Sequence, residues 1–386
     1  MEKVYYLGYY DIPQNEDKKR NVVLAATNKM DYIVSALERN GYAVTLISAA
    51  LSKNGKANPA EEIPIGKCST LHLPKSLKWG NKFQRGISSY YSNLQLFLIL
   101  WKHIQKGDTL IAYHAMSYIT ILKLLKRIKK FKLVLEAEEI YADVNDNARQ
   151  RKKENSLFAC ADAYIFPTEL LNEQLNSENK PCVISYGTYQ VEPERMSKVD
   201  YRTNAEWSKE KIHVVYAGTF DLRKGGAMAA AKAAEFLNDR YHVHLLGFGG
   251  EEDIKAVQKE MSDASMKSGC TVTYDGLLRG EEYIRFLQAC DIGLSTHNPE
   301  GKFNDTSFPS KILSYMANGL QVVSAHIPVV ERSAIGGEMY FYHSQAPKQI
   351  ANAIKIVDLS DATDSREVVS KLDQRFTREI KDLLEK

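Results

Sequence analysis

The chain has 386 residues, 44% hydrophobic and 26% charged, with a net charge of +3. That length exceeds one ordinary domain and suits two of roughly 150–200 residues, and the composition is that of globular protein, which excludes a disordered chain. The best membrane-span candidate, "LQLFLILW" at 94–101, runs into Lys102 far short of the roughly 18 apolar residues a span needs.

Taken in chain order, strands are predicted at 3–9, 43–48, 109–113, 132–137, 162–166 and 181–185. Helices are predicted at 29–40, closed by Asn40-Gly41, and at 117–130. Residues 50–90 are polar, lysine-rich and poorly patterned. The segment 192–211 is charged and lacks apolar periodicity, so it reads as an interdomain linker. Beyond it, strands at 213–218, 241–247, 271–276, 291–296, 321–325 and 339–342 alternate with helices at 226–237, 251–262, 281–289, 310–318, 328–334 and 347–357. An amphipathic helix, 365–386, carries Val368, Leu372, Phe376, Ile380 and Leu383 on one face.

Strict strand–helix alternation implies an α/β fold of two doubly wound, Rossmann-like domains. The expected division is 1–195 for the first domain, 196–364 for the second, and 365–386 for a helix returning to the first. Ligands of such sheets bind beyond the carboxyl ends of the strands, in a cleft shared by the two domains.

The N-terminus "MEKVYYLGYYD" has an acid and a strand pattern where a signal peptide needs basic and apolar regions, so a cytoplasmic protein is expected. Cysteines 68, 160, 182, 270 and 290 have no C-x-x-C spacing and no nearby histidine cluster, which reads as reduced thiols without a structural metal. Residues 1–200 carry a net charge of +6 and the remainder −3, with the excess in "LKLLKRIKKFK" (122–132) and "RQRKK" (149–153). This balance suits a phosphorylated ligand or an acidic surface and is too mild for nucleic acid. On the 117–130 helix, Ile121, Leu122, Leu125 and Ile128 oppose a lysine-rich face, which is explained by a solvated crossover helix and also by peripheral contact with anionic lipid.

Five stretches carry candidate chemistry. In "YAGTFDLRKGG" (216–226) a strand ends at Gly218, and Arg223, Lys224 and two glycines open the next helix. Cations and small residues at a helix N-terminus suit a diphosphate, and they equally suit a solvated turn. In "FNDTSFPSK" (303–311), Asn304, Asp305, Thr306, Ser307, Ser310 and Lys311 precede or open a helix; Ser307 or Asn304 is the expected cap and Pro309 a first-turn residue. His114 follows the 109–113 strand, and Glu136, Glu138, Glu139, Tyr141 and Asp143 follow the next one, where a carboxylate can accept an acceptor's proton or pair with the 149–153 cations. Gly8 and Tyr9 leave the first strand, where backbone must approach a ligand closely. A half-match to a dinucleotide fingerprint, "LLGFGGEE" (245–252), has Glu252 in place of the third glycine and reads as a turn.

In combination, "VVYAGTFDLRKGG", "VTYDGLLRGEEYIRFLQACDIGLST" and "SFPSKILSYMANGLQVVSA" resemble the nucleotide-binding domain of family-4-type glycosyltransferases with the GT-B fold. The resemblance covers residues 212–356, and the first half only by architecture. It implies that Gly218, Thr219, Arg223, Lys224, Ser310 and Lys311 hold the donor phosphates. It further implies that Asn304–Pro309, including Phe308, and Ser314 meet the donor sugar and ribose, and that Leu277 and Leu278 meet the base. His114 falls where the family often has a histidine near the donor sugar; Glu138 and Glu139 are the acids that complete the expected catalytic set, with Gly8 and Tyr9 on the acceptor side.

The family's arginine after the strand glycine is Thr219 here, and its paired glutamates fall on Thr306 and Ser314. Pro309-Ser310-Lys311 matches a subgroup with a Pro-x-Lys turn, and the stereochemical outcome stays open. The resemblance implies a metal-independent transfer of a hexose-type sugar from a nucleotide diphosphate, UDP-sugar above all, to a carbohydrate or lipid-linked acceptor in cell-surface polysaccharide synthesis. A nucleotide-sugar epimerase on the same fold and an inactive binding subunit are the alternatives.

Overall fold

The computed structural model describes residues 1–141, 147–204, 207–299, 306–360 and 364–386. They form two compact units, Met1–Thr188 with Gln374–Lys386, and Tyr189–Asp373.

The first unit runs β1 (Glu2–Gly8), α1 (Leu24–Arg39), β2 (Tyr42–Ser48), β3 (Glu61–Ile65), β4 (Ser69–Leu73), α2 (Lys82–His103), β5 (Thr109–Tyr113), α3 (Ile119–Lys129), β6 (Lys132–Glu136), α4 (Ala148–Phe158), β7 (Ala163–Phe166), α5 (Glu169–Leu175) and β8 (Cys182–Ile184). Its sheet has the order β3-β4-β2-β1-β5-β6-β7-β8. Only the β3–β4 pair at the edge is antiparallel among the described strand pairs. The 50–90 stretch that lacks a sequence pattern therefore holds this edge hairpin and the start of α2. Asn81 caps α2 by accepting from the Gln84 amide at 2.9 Å, while Gln84 Oε1 accepts from the Gly80 amide at 2.7 Å.

The second unit runs α6 (Lys198–Asn204), β9 (Ile212–Phe220), α7 (Gly226–Ala233), β10 (Tyr241–Gly249), α8 (Glu251–Ser268), β11 (Thr271–Gly276), α9 (Gly280–Ala289), β12 (Ile292–Ser295), α10 (Ser310–Ala317), β13 (Gln321–Ala325), α11 (Pro328–Glu331), β14 (Tyr340–Tyr342) and α12 (Pro347–Lys355). Its six parallel strands take the order β11-β10-β9-β12-β13-β14. The chain reverses direction across the sheet between β9 and β12, the topological switch point where such sheets bind ligands.

The expected linker, 192–211, is not strung free. Within it α6 docks on its own unit, with Arg202 donating to the Ala289 carbonyl and pairing with Asp291 at 2.6 Å. Its charges serve a strand end, which an apolar pattern cannot reveal. A last helix, α13 (Ser365–Glu385), belongs to both units. Ser365 and Arg366 donate to the Leu320 and Asn318 carbonyls of the second. Phe376 packs 5.3 Å from the Tyr32 ring of the first, where Lys132 donates to the Leu383 carbonyl.

Between β9 and β12 only two residue pairs are in register, at the strands' beginnings. Tyr315 of α10 enters the gap beyond them: its hydroxyl accepts from the Ala217 amide at 2.9 Å and donates to the Leu294 carbonyl at 3.3 Å. Gly293 is required by this ring, since a Cβ there would stand 2.3 Å from it. Gly293→Ala is expected to cost about 1–3 kcal/mol by overpacking, read as a lower urea midpoint with an unchanged slope.

Candidate active site

Tyr315 places Lys311, one helical turn earlier, over the end of β9. A Cβ on Gly218 would lie 2.6 Å from Lys311 Nζ and 3.0 Å from the Tyr216 hydroxyl. That same hydroxyl would be 2.8 Å from a Cβ on Gly226, the first residue of α7, which also abuts the Thr296 carbonyl at 2.8 Å. Gly218, Gly226, Thr296, Tyr216 and Lys311 therefore converge at the switch point of the second unit. Two helices begin here, α7 after Gly225 in the left-handed region (φ 69°) and α10 after Pro309, and no side chain caps either. Their first-turn amides and positive dipole ends are left for an anion. Pro309 is thus the cap residue itself, where Ser307 or Asn304 was expected; its extended backbone (ψ 106°) starts the helix without a hydroxyl.

Lys311 is half-buried with its ammonium 4.8 Å from the Tyr216 ring centre, and among the described residues it has no carboxylate partner. Burial, followed by repulsion from Lys224, pushes its pKa down to about 8. His297 is lowered as well, by burial and then by the charge of Lys311. The His297 amide and carbonyl are both held by the Tyr342 hydroxyl at 2.9 Å. Gln345 Nε2, a buried donor without a hydrogen-bond partner, lies 3.9 Å from the Cβ position of Gly225. Tyr342 and Gln345 were not singled out from the sequence, because one sits in a short strand and the other in the turn after it, far in sequence from the residues they approach.

The other donor-side residues divide. Lys224 and Thr219 are exposed beside this turn, and Ser310 opens α10. Arg223 does not join them: its side chain is 90% exposed and forks onto Asp221 at 2.9–3.0 Å. Its hydrogen bonds hold the Asp221 carboxyl down at about 2. Ser314 bonds the half-buried Tyr283, while Leu277 is exposed and Leu278 half-buried after β11. Thr306 and Pro309 are half-buried, Ser307 exposed and Phe308 buried. Asn304 and Asp305 lie outside the described residues, as do Glu300 and Asp143. "LLGFGGEE" is not the expected turn: 245–249 close β10 and Glu251 opens α8 directly, with Gly247 (φ 142°) in register with Gly218, where a Cβ would stand 1.7 Å from the Gly218 carbonyl oxygen.

In the first unit the expected residues also gather at the switch point, between β1 and β5, but inside. His114 is 1% exposed, with Nε2 3.3 Å from the fully buried Glu154 and its ring against Tyr141 and Phe158. Burial pushes its pKa down to about 4. Glu138 pairs at 2.5 Å with Lys29, which also donates to the Ser185 carbonyl; Glu139 is exposed. Glu136 is buried, accepts from the Tyr6 hydroxyl, and is pushed up to about 7 by burial and then by Glu138. Gly8 packs under α1, where a Cβ would stand 2.4 Å from Met30 Cε and 3.3 Å from Tyr113 Cβ. The Tyr9 hydroxyl is 2.5 Å from Ser117 Oγ, and its ring stacks on Tyr118.

Residues 211–357 match the family described as glycosyl transferases group 1. Solved structures similar over nearly the whole chain include sucrose-phosphate synthase from Thermosynechococcus elongatus, at 15% identity and TM-score 0.64, covering 99% of this chain and 98% of that one. Anabaena Alr3699/HepE in complex with UDP and glucose matches at 12% identity and TM-score 0.63 over 100% of both chains. The apo structure of OtsA matches at 13% identity and TM-score 0.65 over 99% of both. At these identities the likeness establishes the fold. A search of curated proteins found no match.

The lowered Lys311 pKa has a measurable sign. Below pH 8 the folded protein carries a charge that burial and Lys224 oppose; between about 8 and the ordinary value of 10.5 the folded state binds fewer protons than the unfolded one. Ligand-free stability should therefore rise with pH across that window. Lys311→Met should remove this rise and gain on the order of 1 kcal/mol at pH 7, discounted for solvent screening of a half-buried group. Urea unfolding at pH 7 and pH 9.5 checks both.

Proposed function

We propose, for a chain whose residues 211–357 belong to the group 1 glycosyl transferases and whose two units carry the GT-B fold, that it moves a hexose-type sugar from a UDP-sugar to a carbohydrate or lipid-linked acceptor. One observation carries the donor assignment: Lys311 stands half-buried against Gly218, repelled by Lys224 and matched by no carboxylate among the described residues. A diphosphate answers both cations, the two uncapped helix starts and the Gln345 amide. Departure of that diphosphate is the hard step, and donors already aimed at it stabilise the charge as it develops. In this reading no divalent ion is assigned to the step. Ser310 and the first-turn amides meet the phosphates, Thr306, Ser307 and Ser314 face the sugar and ribose, and Leu277 and Leu278 border the base. On the acceptor side, Glu138 and Glu139 remain the candidates for taking a proton, Glu138 through its pair with Lys29. Buried His114 acts by holding the Tyr141 loop against Glu154, a positioning role.

The lipid-linked acceptor is favoured by α2. Phe83, Ile87, Tyr90, Leu94, Leu98 and Trp101 recur every third or fourth residue and are exposed, with Phe83 at 78% and Tyr90 at 73%. Leu124 and Ile128 of α3 are exposed too, and Lys129 lies 4.3 Å from the Trp101 ring. An apolar stripe of this length, flanked by Lys82, Arg85, Lys102, Lys123 and Arg127, suits the interface of an anionic bilayer. Each cation near such a surface contributes about 1 kcal/mol. Among the described residues no helix is long and apolar enough to cross a membrane. A peripheral site of lipid-linked polysaccharide synthesis on the inner face of the plasma membrane fits this surface.

A second reading, an inactive donor-binding subunit, is favoured by the hydroxyls Thr306 and Ser314 where relatives of the family carry acids. Measurement of UDP release with lipid-linked acceptors separates the two, since binding without turnover on any acceptor selects the subunit. Lys311→Ala and Lys224→Ala should each lower turnover at least tenfold, about 1.4 kcal/mol of barrier; near-normal rates in both variants remove the phosphate assignment. UDP affinity should fall as pH rises above 8, because binding must then return a proton to Lys311, and Lys311→Met should flatten that profile. Leu94→Glu with Leu98→Glu should abolish sedimentation with phosphatidylglycerol vesicles while turnover on a soluble acceptor is retained.

A further inference from the structure

We propose that His213, His242 and His244 form a binding site for one divalent transition-metal ion of the zinc class, separate from the glycosyl-transfer site. The three histidines are buried, and one ligand atom from each lies within 4.8 Å of the others. Their placement follows from the sheet. His213 and His242 are register partners on β9 and β10, and His244, two residues along β10, points to the same face. The cluster sits at the beginning of β9, whereas Gly218 lies five residues further along the strand, roughly 16 Å away.

The outer partners make the case. His213 Nε2 is 3.0 Å from the Ser208 carbonyl, which can only accept, so that nitrogen carries the proton and Nδ1 the lone pair. His244 Nδ1 is 3.2 Å from Asp275 Oδ2, a carboxylate that accepts a hydrogen bond from Nδ1–H and leaves the lone pair on Nε2, and the Thr273 hydroxyl lies 3.1 Å from the same nitrogen. Thr273 spends its single hydroxyl proton on the same Asp275 oxygen at 2.9 Å. In these tautomers His213 Nδ1 and His244 Nε2 face each other at 2.9 Å as two lone pairs. Two lone pairs at that distance repel unless a cation lies between or beside them. His242 Nε2 donates to Thr273 Oγ1 at 3.0 Å, which directs the lone pair to its other ring nitrogen.

Carbonyl and carboxylate partners on the far nitrogen are how metal-ligating histidines are oriented and made more basic. Imidazole ligands suit zinc at about 2.0–2.1 Å, so a tetrahedral pair of nitrogens stands about 3.3 Å apart, a small opening of the present gap. Trp207 stacks over His213 and His244 at 4.7 and 4.2 Å and Phe286 meets His244 edge-on, so the pocket has an apolar lid. An ion here would clamp β9 to β10 and, through Asp275 and Thr273, to β11.

The tag-free full chain, stripped with chelator and equilibrated with Zn²⁺, is expected to retain one equivalent after gel filtration, with a raised unfolding temperature. Co²⁺ in its place should show the visible ligand-field bands of a low-coordinate nitrogen site. His242→Ala should lose the ion, and Asp275→Asn, which keeps all three ligands, should weaken affinity 10- to 100-fold. Less than a tenth of an equivalent bound by the wild type would mean that a shared proton is the cation between the rings, and it overturns the proposal. So does full binding that survives His242→Ala. If that variant fails to fold, Asp275→Asn decides: an unchanged affinity there also overturns the site.

Discussion

The switch point of the second unit rests on one phenol. Parallel strands that diverge at a switch point leave unpaired backbone groups between them, and a buried unpaired amide costs about 1–3 kcal/mol. Tyr315 satisfies the Ala217 amide on one strand and the Leu294 carbonyl on the other, so the opening between β9 and β12 is held at the width of an aromatic ring. Because the ring belongs to α10, the same contact sets that helix against the sheet. Lys311 follows from helical geometry, one turn back and over Gly218. Three glycines answer to this arrangement: Gly293 admits the ring, and Gly218 and Gly226 keep the backbone clear beneath Lys311 and the Tyr216 hydroxyl.

The two units manage buried charge in opposite ways. In the first, the carboxylates beyond the strand ends are answered from within: Glu138 by Lys29, Glu136 by the Tyr6 hydroxyl, and Glu154 by the Tyr141 amide beside His114. Such a network fixes loops and leaves little charge to spend on a ligand. In the second, Lys311 and Lys224 repel each other across the strand turn, and the one nearby arginine is absorbed by Asp221. Among the described residues these two lysines have no carboxylate partner, which is the arrangement the proposed diphosphate would answer.

Much of the second unit was legible. Strands expected at 271–276 and 321–325 are β11 and β13, and the helices at 281–289 and 310–318 appear within a residue at each end. Buried parallel strands are nearly uninterrupted apolar runs and their crossover helices keep a 3.6-residue period, so both signals are local. The 50–90 region was opaque because β3 and β4 are five-residue strands with no buried residue in β3 and only alternate ones in β4, so polar residues such as Glu61, Glu62 and His72 interrupt the apolar run. α6 was opaque for another reason: Arg202 is held by Asp291, far away in sequence, and not by an apolar stripe. The histidine cluster had a faint trace in His242-x-His244, whose spacing puts both on one strand face, but nothing local announced that His213 would be their neighbour.

What the chain's order of residues decides alone is what depends on near neighbours: the α/β alternation, the doubly wound class, the glycines and lysines at the β9–α7 turn, and the helix that starts at Ser310. Which of these groups serve a ligand was decided by tertiary structure. Arg223 and Lys224 are adjacent in the sequence and equivalent by type, yet one is neutralised by Asp221 and the other is left to face Lys311. His114 directly follows β5 and Lys311 lies in the first turn of α10, yet the first is sealed against Glu154 and the second reaches Gly218. The difference is partner and burial, and both are set by residues that folding brings from far along the chain.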